Sequence, residues 1–246
     1  MSETNPSVVY VLTQGIDIGS TIAATLAARG ARVAWLSEGA EPPAVDPGPQ
    51  VVRVPAGFAS RAELEHSFAA AQEQVGPPTQ VVVSAIPRVA LNAQDITTLS
   101  DDDWRAACGA AMKGVLHALQ AAHTAMAGRG GSVVVIGPSL SLPGAAHLVA
   151  LSTAIEGQRG LVKSTARQWG QRGITVNWIA ASPRSMSPHF DGLPLPVKPD
   201  AVMVALGRPL ALGAEIAPFI EFLGSPAGRV MTGATLMLDG GEWMLP

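Results

Sequence analysis

The segment Gly137–Gly160 reads GPSLSLPGAAHLVALSTAIEGQRG, and its flanks decide how it folds. Before it stands an apolar run, Ser132–Ile136 (SVVVI), with the length and β-branched composition of a buried strand. From about Val149 to Trp169 the apolar residues recur at helical spacing. The stretch is therefore a strand end, a loop carrying Ser139 and Ser141, and a long helix. On that helix Leu151 and Ile155 stand four residues apart, so they share one face as an apolar pair.

Outward from this segment the same alternation recurs. Ser7–Leu12 (SVVYVL) predicts a buried strand, Thr13–Ser20 (TQGIDIGS) a turn, and the pattern after it a helix ending near Arg29 and Gly30. Arg32–Leu36, Gln50–Val54, Gln80–Val83 and Gly173–Ile179 predict further strands; Arg61–Val75, Asp101–Met126 and Glu215–Leu223 predict helices. Between the second and third strands, Glu38–Gln50 holds Pro42, Pro43, Pro47 and Pro49, which cannot all sit inside one helix. Residues 183–205 carry Pro183, Pro188, Pro194, Pro196 and Pro199 and predict a rigid, poorly helical lid-like loop.

At 246 residues the chain suits one α/β domain. Charged residues make up 14% of it, against about 25% in ordinary soluble domains, which implies that partners cover much of its surface. A net charge of −3 without a run of Lys or Arg gives no footprint for nucleic acid or an anionic membrane. Cys108 is the single cysteine, which excludes an internal disulfide and a cysteine-based zinc cluster and fits a reducing cytoplasm. The start, MSETNPS, lacks the regions of a signal peptide, and no apolar run reaches membrane-spanning length. A soluble, cytoplasmic protein is expected.

Over about residues 7–242 the chain resembles the short-chain dehydrogenase/reductase superfamily. The resemblance rests on Glu156–Leu161 (EGQRGL), Lys113-Gly114, Gly173–Ile179 (GITVNWI) and Val230–Gly241 (VMTGATLMLDGG). It implies a Rossmann-like, doubly wound, seven-stranded parallel sheet flanked by helices, a single domain over residues 1–246. In that family a loop serine precedes Tyr-x-x-x-Lys on the helix. Registering EGQRGL on the family's A-G-x-x-G-L puts the serine, tyrosine and lysine positions at Pro138, Leu151 and Ile155. Hydride transfer to a carbonyl needs a proton donor and a cation that lowers the donor's pKa. Leucine and isoleucine supply neither, and the chain's one tyrosine, Tyr10, lies in the first predicted strand. Ala111 stands where the family's asparagine holds a proton-relay water.

The family's cofactor loop, T-G-x-x-x-G-x-G, is degenerate here as well. Gln14 replaces the first glycine, with Gly15 in part serving for it; Asp17 replaces the middle one, and Gly19 matches the last. Glycines let the backbone approach a pyrophosphate at a helix N-terminus, whereas the carboxylate of Asp17 reads as a helix cap that repels one. Leu36 and Ser37 stand where a ribose ligand belongs, with Glu38 an exposed loop residue, and Pro55 and Ser84–Pro87 replace further cofactor contacts.

The resemblance thus implies a scaffold without catalytic residues and without a cofactor of its own. Its leading functional expectation is an inactive subunit that pairs with an active, NAD(P)-bearing paralogue in a hetero-oligomer, a tetramer by family habit. Members assemble through the two long helices, here 101–126 and 149–171, and through the last strand, so the tail residues Trp243, Met244 and Leu245 are the interface candidates. Inactive subunits of this kind occur beside active ones in the hydroxy(phenyl)methylsuccinyl-CoA dehydrogenase of the benzylsuccinate pathway, which is named as one candidate. Two alternatives remain. A non-redox enzyme like the halohydrin dehalogenases would keep Ser and Tyr and place Arg at the lysine position, which this chain does not. A ligand-binding regulator would use the pocket of the lost active site, with His147 its most suggestive polar residue.

Overall fold

Seven apolar segments pair into one parallel sheet in the structure, a computed structural model that describes residues 6–39, 43–195 and 204–244. The strands are β1 (Val8–Gly15), β2 (Arg32–Ser37), β3 (Val51–Pro55), β4 (Gln80–Ile86), β5 (Gly131–Pro138), β6 (Ile174–Ala181) and β7 (Thr235–Leu238). Their order is β3-β2-β1-β4-β5-β6-β7. β4, β5 and β6 are buried along their whole length, which is why apolar residues dominate them on both faces. The chain reverses direction across the sheet between β1 and β4, the switch point at which such folds open a crevice at the carboxyl ends of the strands.

Helices α1 (Gly19–Ala28) and α7 (Ala217–Gly224) pack against each other in one layer. The second layer sets α2 (Arg61–Val75) against α4 (Ala110–Met126), and α4 against α5 (Val149–Trp169). Helix α2 shows how local chemistry starts an element: the Ser60 hydroxyl accepts from the Glu63 amide, and Glu63 sits in the first turn, where its charge complements the helix dipole. Tyr10 is buried in the core, donates to the Gly76 carbonyl at 2.8 Å and meets Phe68 edge-on. Burial raises its pKa, so it is a core hydroxyl.

Several boundaries differ from the sequence expectations, each for a local reason. β1, β4, β5 and β6 run past their apolar cores, pairing Gln14 with Ala85 and Pro138 with Ala181. Gln14, Gly15, Ser84 and Pro138 are therefore strand residues and not loop residues. The long helix expected over 101–126 is interrupted: a π turn at Arg105–Gly109 separates α3 (Asp101–Trp104) from α4. The described part of 38–50 holds turns and bends but no helix. The lid-like loop is more helical than its prolines imply, with α6 (Pro183–Met186) and a 3-10 turn at Pro188–Phe190, because Pro183 and Pro188 occupy first helical positions, where no N–H is needed. Phe190 in that turn is fully buried. Pro196 and Pro199 lie outside the described residues.

Candidate functional site

The first site to build is the N-terminus of α1, at the carboxyl end of β1. Asp17 precedes the helix by two residues, and its Oδ1 accepts from the Ser20 amide at 2.9 Å while Oδ2 accepts from the Ser20 hydroxyl at 2.5 Å. Oδ2 also accepts from the Ala44 amide at 2.8 Å, and the Val45 amide donates to Ser20 Oγ at 3.3 Å. The proline-rich connection between β2 and β3 is thereby tied to the first turn of α1. Asp17 is a cap, as the residue type implies, and also a clasp. Gly15 has φ +78° and lies so close to the Ile86 carbonyl that a Cβ would sit 2.1 Å from it, so glycine is required there by β1–β4 packing. Gly19 is equally confined, with a Cβ falling 1.9 Å from Thr13 Oγ1. Gln14 points its amide oxygen at Gly114 on α4, where that oxygen is buried without a protein partner. Beside these residues a cavity of about 260 Å³ is lined by Thr13, Gln14, Asp17, Trp35, Glu38 and Arg88. Glu38 is exposed at its rim, and the Trp35 indole donates to Thr13 Oγ1.

The second site lies where α5 meets β4, β5 and α4. Leu151 and Ile155 are each 1% exposed and face the core together. One turn beyond Ile155, Gln158 is buried and its Nε2 donates to two backbone carbonyls, Ala85 at 2.9 Å and Ala111 at 3.0 Å. This amide bridges β4, α4 and α5 and takes the Ala111 carbonyl directly. Sequence reasoning missed Gln158, although a glutamine inside the apolar stripe 151, 155, 158, 162 was a visible signal that a buried polar pair awaited it. Nearby Cys108 is buried, and burial pushes its thiol pKa up.

The remaining candidates separate. His147 is exposed at φ +61°, and its backbone carbonyl accepts from the Gln94 amide at 2.8 Å. It is a turn residue outside the core. Ser139 is fully buried and Ser141 half-buried, both with hydroxyls lacking a protein partner, so neither is a plain solvent-facing loop serine. Asn177 spends both ends of its amide structurally, donating to the Met231 carbonyl and accepting from the Ala234 amide. At the tail, Asp239 accepts from the amides of Gly241 and Trp243. Trp243 is half-buried, Met244 is 78% exposed, and Leu245 lies outside the described residues.

With this geometry in place, residues 14–242 match the family model described as enoyl-(acyl carrier protein) reductase. The chain belongs to the short-chain dehydrogenase/reductase family. It is 31% identical over 239 residues to the cis-4-hydroxycyclohexanecarboxylate dehydrogenase of Sinomonas cyclohexanicum, covering 91% of each chain. The trans-4-hydroxycyclohexanecarboxylate dehydrogenase of the same organism is 35% identical over 142 residues, a match spanning 57% of this chain and 52% of that enzyme. The (3R)-3-hydroxyacyl-CoA dehydrogenase of Canis lupus familiaris is 26% identical, covering 94% of this chain and 93% of that one. Among solved structures, a blue fluorescent protein from a metagenomic library in complex with NADPH superposes with a TM-score of 0.76 at 25% identity, over 97% of this chain and 98% of that one. Levodione reductase, at 21% identity and a TM-score of 0.78 over 96% and 97%, shares the fold.

Short-chain dehydrogenase/reductase motifs therefore sit in a short-chain dehydrogenase/reductase fold, and each marked position has a definite environment. Pro138 closes β5 and is buried; Leu151, Ile155 and Ala111 are core residues; Gln14, Gly15, Asp17 and Gly19 hold the β1–α1 junction. Among the described residues no group of three or more metal-ligating side chains occurs, and no helix is long and apolar enough to cross a membrane.

Proposed function

We propose that this chain is a catalytically inactive short-chain dehydrogenase/reductase subunit that assembles with an active, NAD-dependent relative and supports it in a cytoplasmic hetero-oligomer. The observation that carries the proposal is the pair Leu151 and Ile155: both are buried apolar side chains where proton donor and cation belong. Gln158 reinforces it, because its amide occupies the carbonyl of Ala111, the position at which the family's asparagine holds a relay water. The residues present at the α1 N-terminus do not fit a dinucleotide. A pyrophosphate drawn to the helix dipole would meet the Asp17 carboxylate and the Ala44–Val45 backbone fastened to it. NAD(P) then belongs to the partner. Named relatives act on hydroxy acids or hydroxyacyl-CoA thioesters, which supports a partner that oxidises a secondary alcohol in such a molecule. Exposed apolar side chains support a covered surface: Leu116 on α4, Phe222 on α7, Val230 before β7 and Met244 after it.

Calorimetry on the purified chain with NAD+, NADH, NADP+ and NADPH tests the cofactor half of this reading. No saturable heat is expected. Micromolar affinity for any of the four would mean that the clasp opens and that the chain carries its own cofactor.

A further inference from the structure

The amino edge of the sheet, opposite the crevice at the carboxyl ends, carries an opening of its own. Gly131 and Ile174 are register partners and the first residues of β5 and β6, strands that run about 4.8 Å apart. Arg129 and Arg172 each stand two residues before one of them, so two arginines flank neighbouring strand starts. The two backbones are tied there, the Gly131 amide donating to the Gly173 carbonyl at 3.1 Å. Arg229, from the 3-10 turn at Gly228–Val230, reaches the same point, and its Nη2 donates to the Gly173 carbonyl at 2.6 Å. Gly130 has φ +71°, and a Cβ on it would fall 2.7 Å from that carbonyl and 3.0 Å from Arg229 Nη2. Bare backbone is therefore what lets Arg229 lie across the junction. The Arg172 guanidinium donates to His123 Nε2 at 2.5 Å, which brings α4 into the same wall. His123 and the three arginines line one open cavity of about 540 Å³.

The charge here is one-sided. Arg29, Arg53, Arg61, Arg105, Arg159 and Arg208 each pair with a carboxylate. Among the described residues Arg129, Arg172 and Arg229 pair with none, and no Asp or Glu lines the cavity. Capping is part of their role: Arg129 donates to the Ala125 carbonyl near the end of α4, where a cation complements the helix dipole. It does not exhaust them. Each of the three bonds engages a single nitrogen, a guanidinium carries further donors, and all three residues are exposed. Cations gathered on one cavity repel one another, and a bound dianion removes that repulsion. Guanidinium forks match the paired oxygens of a phosphate in geometry as well as charge. A cavity of about 540 Å³ lies in the range of small-molecule sites and leaves room beside a phosphate for an organic body. A net charge of −3 without a basic run argues against a nucleic-acid backbone as the occupant.

We propose that Arg129, Arg172 and Arg229 form a binding site for a dianionic phosphate group, carried by a phosphate monoester or free in solution, whose oxygens accept from the guanidiniums. No covalent bond is made or broken. The site stands independently of the inactive-subunit reading, because it lies at the opposite edge of the sheet from the α1 N-terminus. Dinucleotide binding would overturn that reading and leave this one intact.

The test uses the full chain with ribose 5-phosphate and inorganic phosphate as probes and ribose as the neutral control, by calorimetry at about pH 7.5, where the phosphate is largely dianionic. Both probes should saturate, and both should weaken severalfold between about 50 mM and about 300 mM salt, since the cations are exposed. Tighter binding of ribose 5-phosphate marks an ester as the ligand, and equal binding marks the free ion; either result upholds the site. Arg172→Ala should weaken binding by about tenfold, one lost charged hydrogen bond. Gln171→Glu adds a carboxylate to the same lining without removing an arginine, and should weaken binding by about fivefold while the melting temperature holds. The proposal is overturned if neither probe saturates, if ribose binds as well as its phosphate, or if both variants match the parent. It is also overturned if hexaglutamate binds as tightly as ribose 5-phosphate, which would mark a surface for acidic protein segments.

Discussion

Replacing Gln158 with leucine isolates what the buried amide contributes. Leucine nearly matches glutamine in volume, so the cavity contribution is small and the change falls on two hydrogen bonds. Nε2 reaches Ala85 O at 2.9 Å and Ala111 O at 3.0 Å from a side chain that is 1% exposed. Each bond contributes about 0.5–1.5 kcal/mol net, and a carbonyl left buried without a partner costs about 1–3 kcal/mol. The extra apolar burial of leucine offsets part of this, which leaves a loss of about 2–4 kcal/mol. For a chain of this length that is a fall in Tm of about 5–15 °C. Urea unfolding followed by circular dichroism measures it, with an unchanged m-value showing that the unfolded state is unaffected. Gln158→Glu is the control: an acceptor aimed at two acceptors should be worse at pH 7 and recover in part as the carboxyl protonates. If Gln158→Leu unfolds within about 0.5 kcal/mol of the parent, the amide is not a structural bridge and the account of the Ala111 carbonyl fails.

Other consequences follow from the same structure. Leu151→Tyr with Ile155→Lys should not create alcohol oxidation, and burying the new ammonium should destabilise the chain by several kcal/mol; a stable double variant that turns over substrate contradicts this. The Arg208 fork, at 2.6 and 2.9 Å, and the Ala211 amide hold the Glu215 pKa down to about 2. A carboxyl lowered in the folded state stabilises above its unfolded value and loses that contribution as pH falls from about 4.5 towards 2, so Glu215→Gln should flatten the acid limb of a stability profile. An unchanged limb would show that the pair contributes nothing. Deleting residues 242–246 should leave the isolated chain folded yet weaken its association with the active partner or raise that partner's KM; unaltered co-purification and kinetics would remove the tail from the interface.

The fold was legible because its evidence is repeated along the chain: apolar runs such as Ser132–Ile136 and the helical spacing from Val149 onward are each long enough to stand alone. Strand ends were not, because pairing continues through polar or small residues such as Gln14 and Ser84 after the apolar signal has stopped. The π turn at Arg105–Gly109 leaves the apolar period almost undisturbed, so it was invisible. At the site, Leu151 and Ile155 could be set on the family's tyrosine and lysine positions by register alone, and the capping role of Asp17 followed from residue type and position. Its second role, clasping Ala44, joins residues 27 positions apart through a backbone amide, and no side-chain pattern encodes that. Arg129 and Arg172 illustrate the same limit, since their juxtaposition exists only through the register of β5 on β6. His147 shows a related limit: it stands four residues before Leu151, but α5 begins only at Val149, after the left-handed φ of His147, so the two do not share a helix face.

The central claim, an inactive chain completed by an active relative, is tested most directly by isolating the tagged protein from its own cells under native conditions and weighing the intact assembly by mass spectrometry. The account predicts a second short-chain dehydrogenase/reductase chain in equal amount, with all bound dinucleotide on that chain. An assembly of this chain alone that carries NAD(P) or oxidises an alcohol would contradict it.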